Sequence, residues 1–300
     1  MSIGNVSRVT NRECSDIYCL DIGLYETPQY GAVYILDTEQ PAVVDTGTGA
    51  NYDLLVEALG TVGIALDDLE VIALTHVHLD HAGGAGLLAA DCPNAAVYVH
   101  ELGASHLTDP AQLVAGTKRV IGELWAYHRE PEPIPERRVQ VIKDGDTVDL
   151  GDRELETLAV PGHAPHQVAF YDQTSDALFT ADAAGMWLPD PELLTITTPP
   201  PNFDLDQWLD SHDTIREVDA GTFLYPHFGP RESRDAIDEH ERLLTEWVRD
   251  IREKREVLDD ESVIEHFLER SDLREAFGNP AGSIPTRFSV QGVMMYLDSV

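Results

Sequence analysis

Short runs of apolar residues alternate with turn residues through the first third of the chain. IYCLDIGL (17–24), GAVYILDT (31–38) and PAVVDTGTG (41–49) read as strands closed by Gly, Asp or Thr turns. NYDLLVEALGTVG (51–63) changes to helical spacing behind an Asn start, and LEVIALTH (69–76) returns to a short buried strand. AGGAGLLAADC (82–92) predicts a helix begun at glycine, NAAVYVHE (94–101) a strand, and 101–130 a helical stretch. The Pro-rich PEPIPE (131–136) is a connector. VQVIKDGDTVDLG, RELETLAVPGH, QVAFYD and ALFTADAAG then read as strands joined by tight turns. MWLPDPELLTITTPPPNF (186–203) predicts a long irregular loop, DLDQWLDSHDTIREV (204–218) a helix, and GTFLYPHFGP (221–230) a last strand and turn. From Arg231 the texture is helical with mixed charge. The expected division is therefore a unit over 1–230 followed by a helical region over 231–300, with no repeat at a solenoid period.

Composition narrows the partners. The chain has 300 residues, 43% of them hydrophobic, which is enough to bury a core. Its net charge of -34 argues against nucleic acid, whose phosphates need Lys and Arg facing them. There are three lysines (Lys118, Lys143, Lys254), so 17 of the 20 basic residues are arginine. Such an acidic, lysine-poor surface self-repels in dilute buffer and suits strong salt, as in a halophile; an ordinary acidic cytosolic enzyme is the alternative. Cys14, Cys19 and Cys92 give no disulfide framework. MSIGNVSRVTNRECS lacks an apolar signal region, and no apolar run is long enough to span a bilayer. A soluble, cytoplasmic protein is expected, acting on a small molecule and without a membrane partner; a homodimer is one option.

The chemistry concentrates in LTHVHLDHAGG (74–84), where His76, His78, Asp80 and His81 fall within six residues. His76 and His78 alternate by two, so both rings can face one point, and Asp80 and His81 follow in the turn. Imidazole and carboxylate together suit zinc or a similar divalent ion. His163, Asp182 and His227 arrive later, each at the end of a strand. Seven nitrogen and oxygen ligands fit two adjacent metals, and a carboxylate such as Asp182 can bridge them.

This order of motifs, HxHxDH, a Gly-His turn, an Asp and a final His, resembles the metallo-β-lactamase superfamily over about residues 17–230. It looks most like the glyoxalase II and lactonase type; a class B1 β-lactamase has Cys where this chain has Asp182. The resemblance implies an α+β fold, a four-layer αββα sandwich with the site along one edge and a helical C-terminal region. It implies two zinc ions, one on His76, His78 and His163, the other on Asp80, His81 and His227, with Asp182 bridging. It implies hydrolysis, in which hydroxide held by the metals attacks a carbonyl carbon without a Ser or Cys nucleophile. Asp80 and Asp182 are the expected catalytic carboxylates, Asp80 taking part in proton transfer. Asp45 of VVDTGTG is expected to steady a ligand or a turn, and Gly83 and Gly84 to let a helix start close beneath the metals. His166, Trp187, Phe203 and Phe228 are candidate substrate contacts, while His100, His106, His128, His212, His240 and His266 read as surface or structural.

Four functions follow from the resemblance. Thioester or ester hydrolysis leads, although Arg270, Arg274, Arg287 and Tyr296 form no alignable glutathione motif. Lactone hydrolysis uses the same site. A persulfide dioxygenase would use a single iron on two histidines and the Asp. The nuclease branch would need a basic surface. A pure scaffold would waste the ligand set.

Overall fold

The computed structural model describes residues 1–11 and 14–300. Among the described residues, two sheets face one another. The first comprises β1 (Val6–Arg8), β2 (Ile17–Asp21), β3 (Ala32–Leu36), β4 (Ala42–Val44), β5 (Val71–Ala73), β6 (Ala96–His100) and β7 (Val139–Ile142), in that spatial order. The second runs β15–β14–β11–β10–β9–β8, from β8 (Thr147–Asp149), β9 (Glu154–Ala159), β10 (Val168–Asp172) and β11 (Ala177–Phe179) to β14 (Thr222–Tyr225) and β15 (Gly229–Glu232). Between them in sequence, β12 (Met186–Leu188) and β13 (Leu193–Thr195) form a hairpin where the residue pattern predicts an irregular loop.

The period-two pattern of the strands sets the layers. Val33, Ile35, Val43 and Ile72 point from the first sheet onto α1 (Tyr52–Val62) and, past α2 (Leu79–Ala82), onto α3 (Ala85–Asp91). Their neighbours Tyr34, Leu36, Val44 and Ala73 point the other way and meet Leu155, Phe170, Phe179 and Leu224 of the second sheet. The far face of that sheet, with Leu178, Phe223 and Tyr225, is covered after α4 (Ala104–Thr108) and α5 (Ala111–Ile121) by α6 (Leu205–Val218) and α7 (Ala236–Arg255). Helix, sheet, sheet and helix make the expected αββα sandwich. Past Arg231, α7 is joined by α8 (Asp260–Leu268), α9 (Asp272–Phe277) and α10 (Ser283–Ser299) around Leu244, Val248, Val263, Phe267, Val290 and Val293. All three cysteines are free and buried. No helix of the described residues is long and apolar enough to cross a membrane.

The helix predicted over 82–92 is α3, begun at Gly84 as expected, whereas the turn expected at Asp80 and His81 is the short helix α2. The chain restarts at α3 after Gly83 and Gly84. These glycines admit the loop after β4. A Cβ on Gly83 would lie 2.8 Å from the Thr48 carbonyl oxygen, and one on Gly84 2.7 Å from that of Thr46.

Candidate metal centre

The loops after β4, β5, β9, β11 and β14 meet at one edge of the sandwich. Register does much of the placing. β11 and β14 run parallel with Phe179 opposite Leu224, so Asp182 and His227 each lie three residues beyond a paired position. β4 and β5 run parallel with Val44 opposite Ala73, which sets Asp45 beside Thr75 and His76. The Val168 N–H donates to Thr75 O at 2.8 Å and ties the second sheet to the first at this point.

Among the described residues, three groups hold ligand atoms within 4.8 Å of one another: His76, His78 and His163; His76, His81 and Asp182; and Asp80, His81 and His227. In the first, His78 Nδ1 lies 3.0 Å from both His76 Nε2 and His163 Nε2. In the last, His227 Nε2 lies 3.3 Å from His81 Nε2, and Asp80 Oδ2 lies 3.7 and 3.8 Å from the two rings. Nitrogens about 3.4 Å apart are what a tetrahedral ion with bonds of about 2.0–2.1 Å keeps around itself. Asp182 stands between the groups. Its Oδ2 is 3.2 Å from His163 Nε2, and its Oδ1 is 3.6 Å from both His81 Nε2 and His227 Nε2. That Oδ1 is buried without a hydrogen-bond partner among the described residues. A buried carboxylate oxygen is costly to leave unpaired, so the donor set fits divalent ions.

Outer partners fix the rings. His81 Nδ1–H donates to Asp45 Oδ2 at 2.9 Å, His227 Nδ1–H to Tyr30 O at 2.8 Å, and His163 Nδ1–H to Thr197 O at 3.3 Å. An oxygen that can only accept holds a proton on Nδ1 and points Nε2 inward, where a neutral ring offers its lone pair. Asp45 also accepts from the Thr75 N–H and hydroxyl. Tyr30 and Thr197 contribute through their main chains and leave no side-chain signal in the sequence.

Electrostatics separates the ligands. Burial, then neighbouring rings, holds His76 well below its ordinary value; burial and His163 bring His78 down to about 3, and burial and His81 bring His163 to about 3. These imidazoles keep their lone pairs. Burial also opposes charge on His81, but Asp80, Asp182 and Asp45 outweigh it and raise the group to about 10. Burial works against the Asp80 carboxylate as well, and His81, His227, His78 and His128 together hold it below the usual range. His128, expected to be surface or structural, thus faces the centre's charge.

The substrate candidates fall out differently. His166 is 7% exposed, its ring 5.8 Å from that of His78, and its Nδ1 is buried without a partner among the described residues. Trp187 is half-buried and carries the Arg231 guanidinium 4.1 Å over its ring. Phe203 packs in the C-terminal core against Trp208 and Tyr296, and Phe228 packs between the sheets. His212 and His240 are fully buried and joined Nε2 to Nδ1 at 2.9 Å, bridging α6 and α7.

The family model described as the metallo-beta-lactamase superfamily matches residues 27–227. The chain belongs to that superfamily. It is 27% identical over 235 residues to the metallo-beta-lactamase fold-containing protein ST1585 of Sulfurisphaera tokodaii, a match covering 76% of this chain and 83% of that one. It is 30% identical over 186 residues to the acyl-coenzyme A thioesterase MBLAC2 of Homo sapiens, covering 55% of this chain and 62% of the thioesterase, so it spans about three-fifths of that relative's length. Among solved structures, ST1585 from Sulfolobus tokodaii matches with a TM-score of 0.69 at 23% identity over 93% of this chain and 98% of that one. The family protein TTHA1429 from Thermus thermophilus gives 0.64 at 22% over 95% and 93%. At these identities the structural likeness shows the fold. This superfamily member has His/Asp groups able to hold metal ions.

Proposed function

We propose that the chain is a dinuclear-metal hydrolase that cleaves a thioester or related ester of a small molecule in the cytoplasm. The observation that carries this is Asp182, whose two oxygens face two separate ligand groups, Oδ2 at 3.2 Å from His163 and Oδ1 at 3.6 Å from His81 and His227. Residues His76, His78 and His163 would hold one zinc ion, and Asp80, His81 and His227 the other. Bound there, the ions supply Lewis acidity and lower the pKa of water. Asp80, with 26% of its side chain exposed, is the carboxylate able to take a proton at Oδ from the reacting centre. Asp182 fixes the spacing of the groups it separates. His166, beside His78 with a free buried nitrogen, is positioned to hydrogen-bond the substrate.

The likeness to an acyl-coenzyme A thioesterase supports the thioester over other acyl bonds. A glyoxalase II-like substrate and a lactone use the same chemistry and are separated by assay. The reading takes residues 1–230 as the catalytic unit and 231–300 as a helical appendage. The net charge of -34 supports a host with strong salt and argues against nucleic acid as a partner; a homodimer is compatible with this reading.

Elemental analysis of protein purified in high salt without chelator, followed by thioester, lactone and persulfide substrates side by side, tests the proposal. About two zinc ions per chain with thioester cleavage is the expected result. About one iron per chain with persulfide oxidation would replace it by the dioxygenase reading.

A further inference from the structure

The seven ligand side chains all precede Arg231, yet the helices beyond it reach one ligand of each group through a main-chain carbonyl. On the first group that carbonyl is Thr197 O, facing His163 Nδ1. The next residue, Thr198, is fully buried and held three times. Its N–H donates to Ser289 Oγ at 3.3 Å, its hydroxyl donates to Ser289 O at 2.8 Å, and the Trp247 indole N–H donates to that hydroxyl at 3.2 Å. Ser289 belongs to α10 and Trp247 to α7. On the other group the carbonyl is Tyr30 O, facing His227 Nδ1. The Tyr30 ring is buried and stacks on Phe277 at the end of α9, with centroids 4.4 Å apart. Its hydroxyl donates to Ala281 O at 3.1 Å, just ahead of α10.

Each carbonyl sets the tautomer and the aim of a ligand ring, and each is pinned by a different contact from the same helical region. We propose that Thr198 and Tyr30 are positioning residues through which the C-terminal helices set the affinity of the two metal sites independently. Thr198 acts on the site of His76, His78 and His163, and Tyr30 on the site of Asp80, His81 and His227. This rests on the two-ion reading above. Thr198→Val keeps the side-chain shape while removing the hydroxyl that Ser289 and Trp247 hold. Tyr30→Phe keeps the stack on Phe277 and removes only the hydroxyl.

The test is zinc competition against a chromophoric chelator on the full chain, with the two binding steps assigned by His163→Ala and His227→Ala. Thr198→Val should weaken by about tenfold only the step lost in His163→Ala, and Tyr30→Phe only the step lost in His227→Ala. Thr198→Ser, which restores a hydroxyl, should recover the wild-type step. Thermal unfolding of the metal-free variants runs alongside. A merely structural role would lower melting without separating the two steps. Two bound ions whose affinities shift together, or not at all, would overturn the proposal alone. A wild-type chain that binds one ion would overturn the two-ion reading, and the proposal with it.

Discussion

Replacing Asp45 by Asn changes one oxygen into an amide nitrogen, and the contacts of that oxygen decide the outcome. Asp45 is 4% exposed at its side chain and accepts from His81 Nδ1 at 2.9 Å, from the Thr75 N–H at 2.9 Å and from the Thr75 hydroxyl. An Asn oxygen kept at the Oδ1 position still serves both Thr75 groups. Its NH2 then faces His81 Nδ1, donor against donor. The metal-free ring carries protons on both nitrogens, and an arriving ion must displace one of them; facing the amide donor, the ring now keeps the remaining proton on Nε2, the atom that lies 3.3 Å from His227 Nε2 and 3.6 Å from Asp182 Oδ1. An Nε2 that bears a proton has no lone pair for an ion. Loss of such an outer partner costs about 10–100-fold in metal affinity, or about 1.4–2.8 kcal/mol. Losing the charge-assisted bond also costs the metal-free protein about 1.5–3 kcal/mol. The first group is spared, because the Thr75 hydroxyl still donates to residue 45 and still accepts from His76 Nδ1, 3.2 Å away. Chelator competition should therefore show one weakened step and one unchanged step. Wild-type affinity at both steps, or a loss confined to the step of His76, His78 and His163, would refute the tautomer argument.

Three further outcomes are expected. In the metal-free protein, burial above all holds His78, His163 and His166 down to about 3 and His212 to about 4. These folded values lie below the unfolded value of about 6.5, so stability falls as pH drops from 6.5 toward 4, by about 1.4 kcal/mol per unit for each histidine. His81, raised to about 10, has the opposite sign: its contribution is full below about 6.5 and is lost as pH rises through 10. Denaturant titrations should place maximum stability near neutrality, and a metal-free chain more stable at pH 5 than at pH 7 would contradict the burial argument. Gly292→Ala would set a Cβ 2.0 Å from Thr198 O and 2.8 Å from Pro199 C, both main chain, and should destabilise by about 2 kcal/mol in chemical denaturation despite alanine's better helix propensity. With a net charge of -34, the melting temperature should climb between dilute buffer and molar potassium chloride; a flat or falling response would count against the salt-adapted reading.

How much of the structure is legible in the sequence depends on what leaves a trace in side chains. VYIL and AVV are visible as short continuous apolar runs, because each strand is buried on both faces by different partners and every one of these residues is apolar. The helical texture after Arg231 is visible because α7 spans 20 residues, long enough for its period to repeat. β12 and β13 are three residues each, too short for alternation to register among prolines, and their pairing is invisible in the sequence. The use of the glycines between α2 and α3 is hidden for another reason. Gly83 and Gly84 read as a helix start, but their lack of a Cβ is used by the main chain of Thr46 and Thr48, a contact that exists only after the loop past β4 has folded across them. The ligand residues are legible because imidazole and carboxylate have few other reasons to cluster. Their convergence on one edge comes only from the family resemblance and not from the residue pattern, since it depends on Phe179 lying opposite Leu224 in a parallel register. Tyr30 and Thr197 are beyond any reading of side chains, because each acts through a carbonyl that every residue possesses. The sequence thus names the side chains that cluster at this edge and could hold metal, while the carbonyls that orient two of their rings become visible only when the C-terminal helices are seen holding Thr198 and Tyr30 in place.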